Sequence, residues 1–459
     1  MKERTSTLLR GGTRASTGII VIGVAALAAI TLGTVPLPAV ERDPVAIIVD
    51  TLQGAERQVV CAGAFTVLGA DPSRPGVALP TGETSVVVSG ETRSTTDLTR
   101  DSEGGTPPQV FSVAAGDPFA AAQRQTVTTD TLRGVTASAC AEPANDQWLV
   151  GGASTLGITT TVTLANPTGV PATVQLTVFD ENGEVDAALT TGVLVPAGSD
   201  RTVSLNGYAP GRERLAVRVV STGAAVTATL GIAHVSNLDP FAVDTVTRQL
   251  APSDTLIIPG LANASVTEAG PGDAGKVDPF SVRFRVLAPS GAAGTATVVA
   301  LTPDGRRDAL ATLDYADGAV AETQIPHWPV DASAVIISAP DPIVGAALGS
   351  ADEGGAHDTA WFSPAPLLAA GTAHAIAVVP GGRLVLVNPG AEPAEVTLGD
   401  RSVAVPAGAA VRADASGATT LTSTTPIVAG VRVFNGPDIA GYPVLPLADR
   451  ASSITVYTR

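Results

Sequence analysis

The sequence predicts an all-β fold: an N-terminal transmembrane helix followed by tandem immunoglobulin-like β-sandwich units. Three observations carry that expectation. Short Val/Ile/Thr/Leu runs bounded by Gly, Pro, Asn or Asp recur at 160–165, 172–179, 214–220, 280–287, 296–301, 335–337 and 383–387. Beyond residue 40, helix caps followed by a 3.6-residue apolar period are nearly absent, and only short helices are expected, as near 118–123. Turn residues return about every 8 to 12 positions, the rhythm of antiparallel sandwiches.

In chain order, the first element is the apolar segment. Lys2, Arg4, Arg10 and Arg14 precede 26 uncharged residues, 15–40, whose core at 18–35 is almost wholly apolar. A helix rises 1.5 Å per residue, so this core spans roughly 27 Å, near the thickness of a bilayer's hydrocarbon. The basic flank keeps the N-terminus cytoplasmic and places the rest outside. A cleaved signal peptide has an apolar centre of only about 7 to 15 residues before a small-x-small site. Here the nearest such site, Leu37-Pro38-Ala39, carries a bulky residue and a proline. A retained single-pass anchor in the cell membrane is therefore expected over secretion after cleavage.

The remaining chain, about 420 residues, is too long for one ordinary core and predicts several domains of about 100 to 150 residues each. The expected division is a cytoplasmic tail at 1–16, the anchor at 17–40, a β-domain at 41–145 and three sandwich units at 146–252, 253–350 and 351–459. Net charge is −16, and setting aside the +3 of Lys2, Glu3, Arg4, Arg10 and Arg14 leaves −19 outside. Nucleic acid is excluded as a partner, because phosphate binding needs a basic stripe. Cys61 and Cys140 are the two cysteines. Outside the cytoplasm they are expected to pair, since no C-x-x-C spacing marks a redox site.

A weak internal repeat orders the strands. One unit opens with Trp148-Leu-Val-Gly-Gly152 and passes through Leu164-Ala-Asn166-Pro167, Asp180-Glu-Asn-Gly183 and Val195-Pro-Ala-Gly198. Another repeats that order with Trp361, Val387-Asn388-Pro389 and Val405-Pro-Ala-Gly408, and a divergent copy lies between them around Pro303-Asp304-Gly305. Asn-Pro ends a strand because proline brings no amide to the ladder, and Asp-Gly or Asn-Gly turns the hairpin that follows. The chain's end, 442–447 with 454–457, partly copies a unit's opening. Terminal strands of that kind would also fit exchanged strands or ring closure, so a β-propeller is the alternative fold.

The opening 148–152 motif, Leu164-Ala-Asn166-Pro167, Val195-Pro-Ala-Gly198 and Leu215-Ala-Val-Arg-Val219, behind an apolar segment and a Cys61/Cys140 pair, resemble an uncharacterised actinobacterial family of secreted proteins. The resemblance implies a β-rich cell-envelope protein and brings no reaction, cofactor or catalytic residue.

The chemistry-bearing residues are sparse. His234, His327, His357 and His374 are isolated, and none has metal-ligand spacing. Asp352, Glu353, His357 and Asp358 form the densest local cluster, expected as an acidic linker. Asp180, Asn182, Glu184 and Asp186 imitate the start of a calcium loop without its full pattern, and read as a solvated hairpin turn. No G-x-S-x-G, S-x-x-K or Cys-His arrangement is present. Trp148, Trp328 and Trp361 are candidate platforms for sugar rings, with Trp328 expected at the surface and packing across a sandwich the main reading for the other two. The expected function is thus a non-catalytic, cofactor-free envelope scaffold or protein-interaction module. A cell-wall or capsular carbohydrate-binding protein comes second, and a glycan-acting enzyme third.

Overall fold

Among the described residues from 45 onward, every regular element is a strand, apart from one helical turn at Leu205–Tyr208. The structure, a computed structural model, describes residues 45–50, 56–447 and 453–458 with Val24 and Leu27, less 70–76 other than Ser73, 101, 187–191, 237–238, 264–280, 326 and 330. Apart from Val24 and Leu27, the expected anchor at 17–40 and the tail at 1–16 lie outside the described residues. No helix among the described residues is long and apolar enough to cross a membrane. The chain divides into two compact units. One, 1–52 with 450–459, holds β1 (Val45–Asp50) antiparallel to β34 (Ser453–Thr458), with Val45 opposite Thr458. The other, Gln53–Asp449, holds all remaining strands.

Within that second unit the first segment contains β2 (Glu56–Cys61), β3 (Thr66–Leu68), β4 (Ala78–Pro80), β5 (Ser85–Ser89), β6 (Ser94–Asp97), β7 (Gln109–Ala114), β8 (Ala120–Thr128) and β9 (Arg133–Ala139). They form sheets β2-β7-β6 and β5-β8-β9 and the pair β3-β4. The short helix expected at 118–123 is instead the start of β8. Its alanines favour a helix, but β8 lies between β5 and β9, and its buried Gln123 and Gln125 hydrogen-bond the backbone of Gly63, Phe65 and Thr81. Cys61 and Cys140 form a disulfide tying the end of β2 to the residue after β9.

The second segment runs β10 (Asp146–Val150), β11 (Ile158–Asn166), β12 (Ala172–Asp180), β13 (Gly183–Glu184), β14 (Val193–Val195), β15 (Ser199–Ser204), β16 (Ala216–Thr222), β17 (Thr227–Ser236) and β18 (Asp239–Val246). One sheet has the order β10-β16-β12, with β13 and β14 both on β12; the other has β15-β11-β17-β18. Both sheets send side chains into one core, including Leu149, Leu164, Leu176, Val217 and Leu230. The burial of β12 alternates strictly over its first five residues, as a strand with one face on a core requires.

The fourth segment repeats this order. Its strands are β26 (His374–Val378), β27 (Gly382–Val387), β28 (Ala394–Leu398), β29 (Arg401–Val405), β30 (Ala410–Ala413), β31 (Gly417–Ser423), β32 (Val428–Asn435) and β33 (Asp438–Pro443). They pair as β26-β31-β28-β29 and β30-β27-β32-β33.

The third segment has β19 (Ser253–Pro259), β20 (Val282–Leu287), β21 (Gly294–Leu301), β22 (Arg307–Tyr315), β23 (Ala321–Ile325), β24 (Ala334–Glu353) and β25 (Ala356–Phe362). Its pattern is the same, with two strands fused into the 20-residue β24. The first half of β24 pairs with β19 and β21, and the second half with β20 and β25. The division expected at 350/351 therefore falls inside β24, and β25 pairs with this segment.

The segments meet in a closed cycle. Phe65 and Val127 pack with Ala233 and Val243 between first and second, and Leu287, Val344 and Trp361 join the core of the second. Ile257 and Leu301 pack on Val385 and Val428 between third and fourth, while Val135 and Ala137 enter the fourth segment's core. At the centre, the last strand of each segment touches the next: β9 on β18, β18 on β25, β25 on β33, and β33 on β9.

Candidate functional site

Edge strands that meet without a ladder leave backbone amides unpaired, and here carboxylates accept them. Asp244 on β18 accepts from Trp361 N of β25 at 2.7 Å and from Thr245 N at 2.8 Å. Asp358 on β25 accepts from Val135 N of β9 at 3.1 Å and Ile439 N of β33 at 3.2 Å. Arg133 adds bonds to the His357 carbonyl and, at 2.9 Å, to Asp438. Burial pushes the Asp244 carboxyl up to about 7, against the opposing pull of its two amide donors. Burial likewise holds Asp358 well above the usual carboxylate range, its amide donors from Val135 and Ile439 opposing.

Next to this centre, between the second and third segments, lies a cavity of about 500 Å³. The loop after β10 and the strands β17 and β18 supply one side, and β20, β23, β24 and β25 the other. Its position follows from β20, where Val282, Phe284 and Val286 face their own segment's core. Arg283 and Arg285 alternate with them and line the cavity. Arg285 is buried, and all five of its N–H groups are engaged. They reach Glu322 Oε2 at 2.9 and 2.7 Å, Gly152 O at 2.7 Å, Leu215 O at 3.3 Å and Glu213 O at 3.3 Å. Its guanidinium also sits 4.4 Å from the centroid of the Trp361 ring. Burial lowers its pKa, and Glu322 works against that.

The glycine pair of the 148–152 motif serves this packing. A Cβ at Gly151 would come within 3.0 Å of Trp361 Cγ, and Gly152 has φ +75 with Thr160 Oγ1 2.5 Å from any added Cβ. On the opposite side, His234 contacts Phe241 with ring centroids 4.3 Å apart. Burial and the charge of Arg283 both depress the His234 pKa, which favours the neutral ring.

The three tryptophans separate here. Trp148 is 3% exposed, 5.8 Å from the Phe179 ring and under Arg218. Trp328, expected at the surface, is also only 3% exposed and packs in the third segment's core, so it shows no face to solvent. Trp361 alone lines the cavity. The cluster expected as an acidic linker is the β24–β25 hairpin, in which Asp352 lies opposite His357, its carboxylate 3.3 Å from His357 Nδ1. Asp180 is buried, accepts from Asn182 N at 2.6 Å and pairs with Arg212 at 3.0 Å, so a guanidinium stands where a cation would. His327 is exposed, and His374 Nε2 lies 3.2 Å from Ala369 O. Among the described residues no three of His, Cys, Asp or Glu are placed to hold a metal ion.

Sequence reading missed Asp244 and Arg285, and found His234 only as an isolated histidine. For these two the signal was present: charges set into otherwise apolar strand runs, one in Ala242-Val-Asp-Thr-Val246 and two in Val282-Arg-Phe-Arg-Val286. In a strand buried on both faces, such a charge has to meet a partner.

These features define a class: an all-β, disulfide-bearing protein of several sheets whose buried charges join its segments around a centre. Residues 99–422, more than half of the chain, match a family of unknown function, DUF5719, and the chain belongs to that family. No curated protein and no solved structure matches it.

Proposed function

We propose that this protein is a non-catalytic scaffold of the cell envelope. In this reading the segment at 18–35 is kept as a single-pass membrane anchor and the acidic bulk acts outside as a protein-interaction module. We read each segment as an immunoglobulin-like sandwich unit, and the four units as a ring whose central strands are arranged as in a propeller. One observation carries the scaffold reading. The charged groups buried at the centre, Asp244, Asp358 and Arg285, have backbone amides, carbonyls or Glu322 as partners, so they hold segments together. A body joined in this way presents fixed surfaces to partners.

Crosslinking in intact cells from the exported face, with identification of the captured species and N-terminal sequencing of the mature chain, tests the reading. An envelope protein captured by a membrane-bound chain that keeps its first 40 residues is the expected result. A free start near Val40 would replace the anchored scaffold with a secreted one. Turnover of a glycan or peptide that is lost on Glu322→Gln would replace it with an enzyme. Glycan binding is the second reading, and one observation favours it: Trp361 lines a cavity in which polar and aromatic groups converge.

A further inference from the structure

We propose that the cavity between the second and third segments binds one uncharged polyhydroxylated ring, a single sugar unit of a glycan, with Arg283, His234 and Glu322 as its polar contacts. The proposal rests on the glycan-binding reading and gives it a place and a ligand class. Size is the first argument: about 500 Å³ falls within the range of roughly 300 to 1,000 Å³ usual for small-molecule sites.

Free valence is the second. Arg285 is fully engaged, whereas Arg283, beside it on the same strand face, has only Glu322 Oε1 at 3.7 Å among the described residues, and its side chain is 42% exposed. The side chains of His234, Ser236 and Thr155 also line the cavity. A neutral imidazole offers one donor and one acceptor, Arg283 only donors, Glu322 only acceptors, and serine and threonine hydroxyls both. That mixture matches vicinal hydroxyl groups, each of which donates and accepts. Phe241 and Trp361 add apolar lining to the cavity.

Charge decides among ligand classes. Arg283 and Arg285 share the lining with three carboxyl groups, those of Glu322, Glu213 and the buried Asp244. A phosphate or polyanion would meet these carboxyl groups, and a cation would meet two guanidiniums. A purely apolar ligand would leave Arg283 and His234 desolvated and unpaired.

The test uses the full-length chain in detergent on a printed array of neutral and acidic glycans, followed by calorimetric titration with the best-retained sugar. Three variants are compared with wild type: Arg283→Ala, His234→Ala, and Thr155→Trp, which narrows the cavity from a loop outside the strand ladders. Retention of a neutral glycan is expected, with affinity about tenfold weaker in each deletion and abolished by Thr155→Trp, while melting temperatures stay at the wild-type value. Arg283→Lys, which keeps the charge, should recover part of the loss. A blank array would overturn both the proposal and the glycan-binding reading. Binding unchanged by all three variants would overturn the cavity assignment alone and leave glycan binding elsewhere on the chain. Preference for acidic glycans, or displacement by inorganic phosphate, would overturn the uncharged class.

Discussion

Asp244 and Asn166 show how single polar side chains hold this fold, by opposite routes. The Asp244 carboxyl is buried and rises to about 7, against roughly 3.9 in an unfolded chain. Between those values the folded state holds a proton that the unfolded state has lost. Stability from this group is therefore full below about pH 4 and falls as pH rises toward 7, by at most about 4 kcal/mol. Asp358, also raised, adds in the same direction. Denaturant unfolding should give lower stability at pH 8 than at pH 5, and Asp244→Asn should flatten that difference; an unaltered slope in the variant would refute the assignment. Asn166 works as a neutral clamp. It is buried, donates to the carbonyls of Val170, Val195 and Pro196 at 2.8, 3.2 and 3.1 Å, and accepts from Thr168 N at 3.0 Å. Asn388 repeats the arrangement toward Glu392, Val405 and Gly390. Asn166→Asp would turn a carboxylate oxygen toward three carbonyls, and a loss of about 3 kcal/mol or more is expected in the same measurement.

At the scale of elements, the sequence pattern carried much of the strand order and little of what joins the strands. The runs at 160–165, 172–179 and 383–387 lie within β11, β12 and β27, because each combines β-branched residues with turn chemistry at its ends. The repeated Asn-Pro was legible as a strand end. Its asparagine was not legible as a clamp, since its partners lie up to 30 residues away. The strand run read at 335–337 covers only three of the 20 residues of β24, which carries Asp341-Pro342 in its interior. The strand changes sheets near that point, passing from β19 and β21 to β20 and β25. The cavity was illegible for a related reason: its walls come from strands more than 100 residues apart, and periodicity reports only which face of a strand is buried. The Cys61–Cys140 bond closes the first segment by joining β2 to the end of β9, across a separation of 79 residues. In the chain-entropy model a loop of that length is worth about 4 kcal/mol. The double variant Cys61→Ser with Cys140→Ser should lose close to that in chemical denaturation, and a change below about 1 kcal/mol would show that β2 and β9 hold without it.

For the whole molecule, the closed cycle of segments separates this chain from a string of independent units. In a string, each boundary is a linker and each unit melts by itself. Here Phe65 and Val243, Leu287 and Leu230, Ile257 and Val428, and Val135 and Leu386 share cores across successive boundaries. The four final strands touch around one centre, and Asp358 reaches two of them at once, through Val135 N on β9 and Ile439 N on β33. Removing that carboxylate strands two buried amides at a cost of about 1 to 3 kcal/mol each, and it also removes a charge-burial penalty that the raised pKa reveals. The amides belong to the first and fourth segments, so the cost falls on the contact that closes the cycle. Scanning calorimetry of the wild-type chain should therefore give one main transition for residues 53–449, with matching calorimetric and van't Hoff enthalpies. Asp358→Ala, scanned below pH 7 where the raised pKa leaves little charge penalty to offset the lost bonds, should broaden or split that transition, because the first and fourth segments lose their shared partner while each keeps its own core. Three or four separable transitions in the wild type would mean that the segments are independent despite their contacts. A uniform shift without broadening in the variant would place the coupling in the apolar contacts between segments, with the carboxylate acting only on local stability.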